Sequence, residues 1–198
     1  KLTEFGYKSS INALSLGTSY EQFDNIFFSP TFFVGSEKLE TEDSASATLK
    51  KQEGSYFDSS VQYSFLYDKR NQPFRPTSGY YSKFTQSLPI ASDGLPILNG
   101  YEVSSYKEIV DEMVVSLSFY GRAINSLSDD DVRVSKRLTV PSSRIRGFES
   151  GKIGPKDSGD YVGGNYAAAL NASTTVPYLF QTLETIDMKM FLDTANVW

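Results

Sequence analysis

The strongest constraint on the fold is an alternation of apolar and polar side chains with a period of two. Residues 57–67 show it most clearly, and the same alternation returns along most of the chain. Successive side chains of a β-strand point to opposite sides of the sheet, so this period predicts strands with one apolar face. In this segment the apolar set is Phe57, Val61, Tyr63, Phe65 and Tyr67, and the polar set is Asp58, Ser60, Gln62 and Ser64.

About eight segments carry the pattern, and the connections between them alternate in length. Short turns are predicted at 21–24, 69–79, 111–112 and 177–184, and longer loops at 37–54, 91–100 and 125–162. Outer-membrane barrels have short turns at one rim and longer loops at the other. The predicted fold class is therefore an all-β, transmembrane, antiparallel β-barrel, with a soluble β-sandwich as the alternative.

In a barrel the apolar face meets lipid and the small polar face lines the lumen. The residues predicted to face lipid are Phe57, Val61, Tyr63, Phe65, Val115, Leu117, Phe119, Tyr166, Leu170, Met188 and Met190. Those predicted to face the lumen include Ser116, Ser118, Asn171 and Ser173. The turns at 69–79 and 111–112 should share one rim, and the three longer loops should leave from the other.

Composition argues against enzymatic and nucleic-acid-binding functions. The chain has neither cysteine nor histidine, which removes thiol chemistry, the commonest general base and the commonest metal ligand. The acidic run 129–131 lacks the spacing of a calcium loop. A net charge of −5 disfavours nucleic acid as a partner. We expect no enzyme activity, no cofactor and no metal site.

The loop at 125–162 is too long for a simple connection, because loops beyond about 12–15 residues are usually functional or disordered. It contains Arg144-Ile145-Arg146-Gly147-Phe148 within a glycine-rich, basic segment. Glycine between an arginine and an aromatic residue permits a tight turn that presents both side chains together. Clustered arginines beside aromatic residues could also bind RNA, but the acidic balance of the chain disfavours this reading.

Three motifs, in this order, carry a resemblance to a known family. They are the turn Pro76-Thr77-Ser78-Gly79, the loop tripeptide Arg146-Gly147-Phe148, and Phe191-Leu192-Asp193-Thr194-Ala195 in the last predicted strand. They resemble the Pro-Thr-x-Gly turn, the Arg-Gly-Phe signature of the sixth external loop and the Phe-x-Asp-x-Gly strand of the BamA family of outer-membrane assembly barrels. The similarity covers most of the chain.

The resemblance implies that the chain is part of one outer-membrane barrel domain of about sixteen strands. The first and last strands and the periplasmic POTRA domains would then be absent from it. The implied function is the folding and insertion of β-barrel client proteins. The implied partners are unfolded outer-membrane proteins, periplasmic accessory lipoproteins bound through the POTRA domains, and outer-membrane lipids. The Ile153-Gly154-Pro155 continuation favours a Gram-negative bacterium over an organelle.

The resemblance also implies that the long loop folds into the lumen and braces its wall. Arg146 is predicted to pair with Asp193 on the inner wall, and Phe191 is predicted to lie near Phe148. In a wet lumen such a pair should contribute little more than the roughly 0–1 kcal/mol of an exposed ion pair. Two positions depart from the family pattern: Ala195 replaces a glycine, and Ser173 stands where relatives often carry a glutamate.

Other functions remain open at this stage. A two-partner secretion pore or a TamA-like translocation pore shares the barrel and the Arg-Gly-Phe tripeptide. A passive porin also has a loop folded into its lumen, but the three motifs together are not expected in a porin. A soluble β-sandwich binding module is a further alternative, and it would stay in solution without detergent.

Overall fold

A computed structural model describes residues 6–176 and 188–198. The strands are β1 (Tyr7–Gly17), β2 (Tyr20–Phe23), β3 (Ile26–Thr41), β4 (Gly54–Asp68), β5 (Gly79–Ser92), β6 (Pro96–Val110), β7 (Met113–Ser126), β8 (Lys156–Asp157), β9 (Asp160–Tyr161), β10 (Tyr166–Val176) and β11 (Met188–Val197). A short helix α1 (Ala47–Lys50) follows β3, and two single-turn 3-10 helices lie at Val134–Lys136 and Ser142–Arg144. No helix within the described ranges is long and apolar enough to cross a membrane.

The main sheet is antiparallel throughout and follows chain order. Its path is β1-β3-β4-β5-β6-β7-β10-β11, and β2 lies off this path, paired with β3. The all-β antiparallel prediction is confirmed, and the path has the eight strands expected from the sequence. In the part of the chain that the structure describes, β1 and β11 do not pair with each other, so the sheet is not closed.

The register sorts apolar and polar side chains onto opposite faces of the sheet. Residues directly opposed in an antiparallel pair share a face, and Phe28, Phe65, Phe84 and Tyr101 form one such row across four strands. All the residues predicted to face lipid lie on this apolar face. Ser116 and Ser173 lie on the other face, with their hydroxyl oxygens 2.8 Å apart. The predicted assignment of the two faces is confirmed.

Three predicted connections differ from the structure. The loop predicted at 37–54 spans only 42–53, because β3 continues to Thr41. The loop predicted at 91–100 is a turn at 93–95, because β5 and β6 extend on both sides of it. The turn predicted at 21–24 lies at 24–25, after the extra strand β2, with Asn25 at a φ of 63°. The turn predicted at 177–184 lies outside the described residues.

The connections leave the sheet at the rims that were predicted. Antiparallel neighbours reverse direction at each connection, which places 69–78 and 111–112 at one rim (the turn rim). The connections 42–53, 93–95 and 127–165 leave from the opposite rim (the loop rim). By the resemblance to outer-membrane barrels, the loop rim should face the cell exterior.

Cysteine labelling on intact cells tests this orientation, since the chain has no cysteine of its own. Lys51→Cys, at the loop rim, should react with a membrane-impermeant maleimide on intact cells. Asp111→Cys, at the turn rim, should react only after permeabilisation. Reaction of both residues from outside would contradict the assignment of the rims.

Candidate functional site: the long loop on the polar face

The connection 127–165 lies on the polar face of the sheet. It contains the two 3-10 helices and the small β8–β9 hairpin, and it closes on itself through a bridge between Leu138 and Gly164. The two backbone hydrogen bonds of this bridge measure 2.7 and 3.0 Å. A loop held by its own bridge and hairpin is a built element, and we call it the brace loop.

Apolar side chains of the brace loop pack onto small residues of the sheet. Leu138, Val140 and Ile145 are buried in one cluster with Ala167 and Ala169 of β10. Tyr120, Ile124, Val132 and Val197 complete this cluster. Alanine at these two strand positions leaves room for the loop to lie directly on the sheet. A second cluster joins Val134 and Val162 of the loop to Leu39 of β3 and Leu49 of α1.

The structure brings Arg146 and Asp193 together. The guanidinium donates from Nε to Asp193 Oδ2 at 2.7 Å and from Nη2 to Oδ1 at 2.6 Å. The backbone N–H of Arg146 also donates to Oδ2, at 3.0 Å. This is the bidentate geometry that arginine and carboxylate favour. The hydrogen bonds to Asp193 raise the pKa of the Arg146 guanidinium above its ordinary value.

The two partners differ in exposure. The Asp193 side chain is 4% exposed, whereas that of Arg146 is 37% exposed. The carboxylate is drier than the sequence-based expectation of a wet lumen assumed. The expected contribution of the pair therefore rises above that of a surface ion pair.

Phe191 contacts the arginine of the loop motif. Phe191 lies under the guanidinium of Arg146, whose central carbon is 3.7 Å from the ring centroid. Phe148 is 59% exposed, and the neighbouring Gly147 adopts a φ of 84°. The proximity of Phe191 to Phe148 stays a prediction.

Asn171 belongs to the site although the sequence did not single it out. Its Nδ2 donates to Asp193 Oδ1 at 2.9 Å and to the backbone oxygen of Arg144 at 2.6 Å. Asn171 lies directly opposite Asp193 in the β10–β11 register. The signal available in the sequence was an amide on the predicted lumen face of the neighbouring strand.

A second arginine of the same segment has its own carboxylate. Arg144 Nη2 donates to Glu102 Oε2 on β6 at 2.7 Å. The opposite oxygen of Glu102 lies 3.6 Å from Arg122 Nη2 on β7. Both guanidiniums lie over the Tyr120 ring, each 5.4 Å from its centroid. Glu102 is thus a second point of attachment that the sequence did not indicate.

The turn motif is a compact structure at the other rim. Asn71 Oδ1 accepts hydrogen bonds from the backbone N–H groups of Thr77 and Ser78, and Asn71 Nδ2 donates to Thr77 Oγ1. Pro76 precedes these residues, and Gly79 opens β5 with a φ of 95°. A Cβ atom on Gly79 would lie 2.0 Å from the backbone oxygen of Lys69. The glycine of this motif is therefore required by close approach of the backbone.

The two departures from the family pattern fit their surroundings. Ala195 packs partly buried against the cluster beneath the brace loop. Ser173 pairs with Ser116 and lies opposite Phe191 in the register. Within residues 6–176 and 188–198, no group of three or more metal-ligating acidic, cysteine or histidine side chains converges.

An antiparallel sheet with an exposed apolar face, and with an arginine-bearing loop fixed to its polar face, defines a wall segment of an outer-membrane β-barrel. Residues 3–198 match the Omp85 superfamily domain, and the chain belongs to this superfamily. Within this superfamily the chain is similar in sequence and fold to part of BamA barrels, as the sequence predicted.

Similar proteins come from both eukaryotes and bacteria. The human Sorting and assembly machinery component 50 homolog is 31% identical over 140 residues, which cover 68% of this chain and 30% of that protein. The Outer membrane protein assembly factor BamA of Neorickettsia risticii (strain Illinois) is 27% identical over 177 residues, which cover 86% of this chain and 24% of that protein. These relatives place the chain among outer-membrane proteins. A Gram-negative source stays a prediction.

The fold also matches a solved structure, that of BamA from Haemophilus ducreyi lacking POTRA domains 1–3. The TM-score is 0.86 at 18% sequence identity, covering 97% of this chain and 42% of that one. At this identity the comparison establishes the fold alone. The chain spans less than half the length of that structure and about a third or less of the curated relatives.

Proposed function

We propose that the protein containing this chain folds β-barrel client proteins and inserts them into an outer membrane. The observation that carries the proposal is the superfamily match over nearly the whole chain, with relatives whose names describe assembly. The brace loop supports the proposal on physical grounds. A loop attached at several points to the lumen wall supports a barrel that must keep its shape while its own edge opens to a client.

The proposed mechanism uses strand pairing and involves no covalent chemistry. A client strand adds to an open edge of the barrel, which supplies backbone hydrogen bonds that lipid cannot. Each new strand then becomes the template for the next. Local thinning of the bilayer beside the barrel lowers the barrier to insertion. The brace loop keeps the rest of the wall fixed during this exchange.

The proposed partners follow from this mechanism. They are unfolded outer-membrane proteins, lipids of the outer membrane, and periplasmic accessory lipoproteins that would bind POTRA domains elsewhere in the full-length protein. We propose a Gram-negative bacterium as the source and no nucleic-acid partner.

Reconstitution of the full-length protein tests the function. Liposomes containing it should fold a urea-denatured β-barrel client faster than liposomes containing an inert barrel, measured as heat-modifiable, protease-protected client. Arg146→Ala should slow folding about tenfold, equivalent to about 1.4 kcal/mol. Arg137→Ala is the matched control, because Arg137 lies in the same loop and its guanidinium donates to the backbone oxygen of Val132, within the loop itself.

Three outcomes would reject the proposal in favour of a rival. Equal folding in both kinds of liposome would exclude assembly activity. Large and steady conductance without client folding would indicate a passive porin. Release of client as soluble protein on the far side of the membrane would indicate a secretion pore.

A further inference from the structure

We propose that the brace loop is a cross-tie that holds β3 and β4 at a fixed distance from β11. One end is fastened by Arg133 and the other by Arg146. The proposal concerns the shape of the barrel wall, and it deepens the supporting role that the proposed function gives to the brace loop. Its test measures a distance between strands, so it can fail whether or not the protein folds clients.

The Arg133 end is a cluster of four charges, three of which are buried. Arg133 Nη2 lies 2.7 Å from Asp58 Oδ2 on β4 and 3.2 Å from Glu37 Oε2 on β3. Lys136 Nζ lies 2.7 Å from the same oxygen of Asp58. The side chains of Arg133, Asp58 and Glu37 are 7, 8 and 1% exposed. We call this set the far anchor.

Neutral contacts support the far anchor. Ser135 Oγ donates to Glu37 Oε2 at 2.9 Å, and the backbone N–H of Val134 donates to Gln52 Oε1 at 2.7 Å. The Arg133 guanidinium lies 4.1 Å from the centroid of the Tyr56 ring. The start of the loop is therefore tied to both strands and to the segment between them.

The far anchor fixes geometry more than it stabilises. Asp58 Oδ1 and Arg133 Nη1 are buried without a hydrogen-bond partner. Buried ion pairs recover their desolvation cost only when their remaining hydrogen bonds are satisfied, so a cluster with two unsatisfied atoms contributes little net stability. What it does provide is a single position for Arg133 relative to β3 and β4.

The two ends of the loop are attached to strands that are not neighbours. In the sheet, β5, β6, β7 and β10 lie between β4 and β11. Five strand steps of about 4.8 Å amount to roughly 24 Å along the sheet. The 13 residue steps from Arg133 to Arg146 can reach about 43 Å when fully extended, so the segment spans this distance with length to spare.

Packing takes up the spare length. Leu138, Val140 and Ile145 are buried against β7 and β10 between the two ends. Arg144 is attached to Glu102 on β6 near the middle of the span. The segment between the anchors is thus held along its length, so a change in the separation of β4 and β11 must break contacts at one anchor or the other.

Pulsed electron paramagnetic resonance measures the separation directly. Nitroxide labels are placed on the apolar face by Val61→Cys on β4 and Leu192→Cys on β11, in the full-length protein with any other cysteine replaced. The test variant is Arg133→Gln with Glu37→Gln, which removes one positive and one negative charge and leaves the Lys136–Asp58 pair balanced. The matched control is Arg137→Gln.

The double variant should broaden the distance distribution at least twofold, whereas the control should match the wild type. A folded double variant with the wild-type distribution, or equal broadening in the control, would overturn the proposal.

A second measurement does not depend on the folding of a variant. A protease site inserted between Ser142 and Ser143, both exposed, allows the segment between the anchors to be cut after the protein has folded. Cutting should broaden the same distribution relative to the uncut insertion protein. An unchanged distribution after complete cutting would show that the loop does not tie the strands.

Discussion

Gly79→Ala is expected to destabilise the barrel by about 4 kcal/mol or more, at the severe end of single substitutions. Two effects combine at this position. The backbone adopts a φ of 95°, which residues other than glycine rarely adopt. The added Cβ would lie 2.0 Å from the Lys69 backbone oxygen and 2.9 Å from the Arg70 Cα, and backbone atoms cannot move aside as a flexible side chain can.

Gly94→Ala is the matched control for the backbone effect alone. Gly94 lies in the turn at 93–95 with a φ of 76°, and an added Cβ would meet nothing within 4 Å. Its cost should be that of a strained conformation, about 1–3 kcal/mol. The temperature at which the folded, heat-modifiable form is lost should fall much further for Gly79→Ala. Equal losses would show that the contact with Lys69 does not matter.

The strands were predictable because each has one apolar face. The register preserves the period of two across β4, β7, β10 and β11, so the pattern that marks a strand also assigns its faces. When one face of a sheet meets lipid and the other meets water, alternate residues of each strand differ in polarity. The sequence then indicates which residues lie on which face. This is why the face assignments held even where strand ends were misplaced.

Strand ends were less predictable where turn residues lie inside strands. Pro89, Asp93, Gly94 and Pro96 indicate a loop, but only 93–95 form the turn. The two prolines are accommodated without breaking the sheet: Pro89 lies opposite Ser60 at an irregularity that skips Ile90, and Pro96 begins β6. Proline is tolerated at bulges and strand starts, which composition alone cannot distinguish from loops.

Pro30 shows the same effect inside β3. Its carbonyl accepts a hydrogen bond from the Thr18 N–H, at the point where pairing with β1 ends and before pairing with β2 begins. In an antiparallel strand the N–H and C=O of a residue point to the same side, so the N–H that Pro30 lacks would also have pointed toward Thr18. The β1 pairing ends at the neighbouring Gly17–Thr31 pair, where the missing N–H interrupts least. The tolerance of Pro30 can be understood only once the strands that pair beside it are known.

The attachments of the brace loop were only partly predictable. Arg146 and Asp193 each belong to a family motif, and the resemblance linked them. Arg133 meets Asp58 and Glu37 across 75 and 96 residues of sequence, and neither carboxylate lies in a recognisable motif. Glu37 was assigned to a loop, whereas β3 continues to Thr41 and includes Glu37 in the wall. Long-range charge pairing depends on register and on sheet order, which a single sequence does not encode locally.

The pair Arg146–Asp193 should respond asymmetrically to the loss of either partner. Arg146→Ala would leave Asp193 buried with two neutral donors, Asn171 Nδ2 and the backbone N–H of residue 146, and without its counter-charge. An uncompensated buried charge costs about 3–5 kcal/mol. Asp193→Ala would leave a guanidinium that is already 37% exposed and can turn toward water. Its loss should be nearer the roughly 1.5–3 kcal/mol of hydrogen bonds to a charged group.

The double variant distinguishes this mechanism from two independent defects. With both charges removed no carboxylate remains buried and unpaired, so Arg146→Ala with Asp193→Ala should be no worse than Arg146→Ala alone. The measurement is the rate of protease cleavage within the brace loop in the folded, full-length protein, with Arg137→Ala as the control in the same loop. Strictly additive effects of the two substitutions would mean that the contact between them does not hold the loop. Sub-additive effects with Arg146→Ala as the more severe single change would show that the brace loop is held at this end because Asp193 cannot remain buried without it.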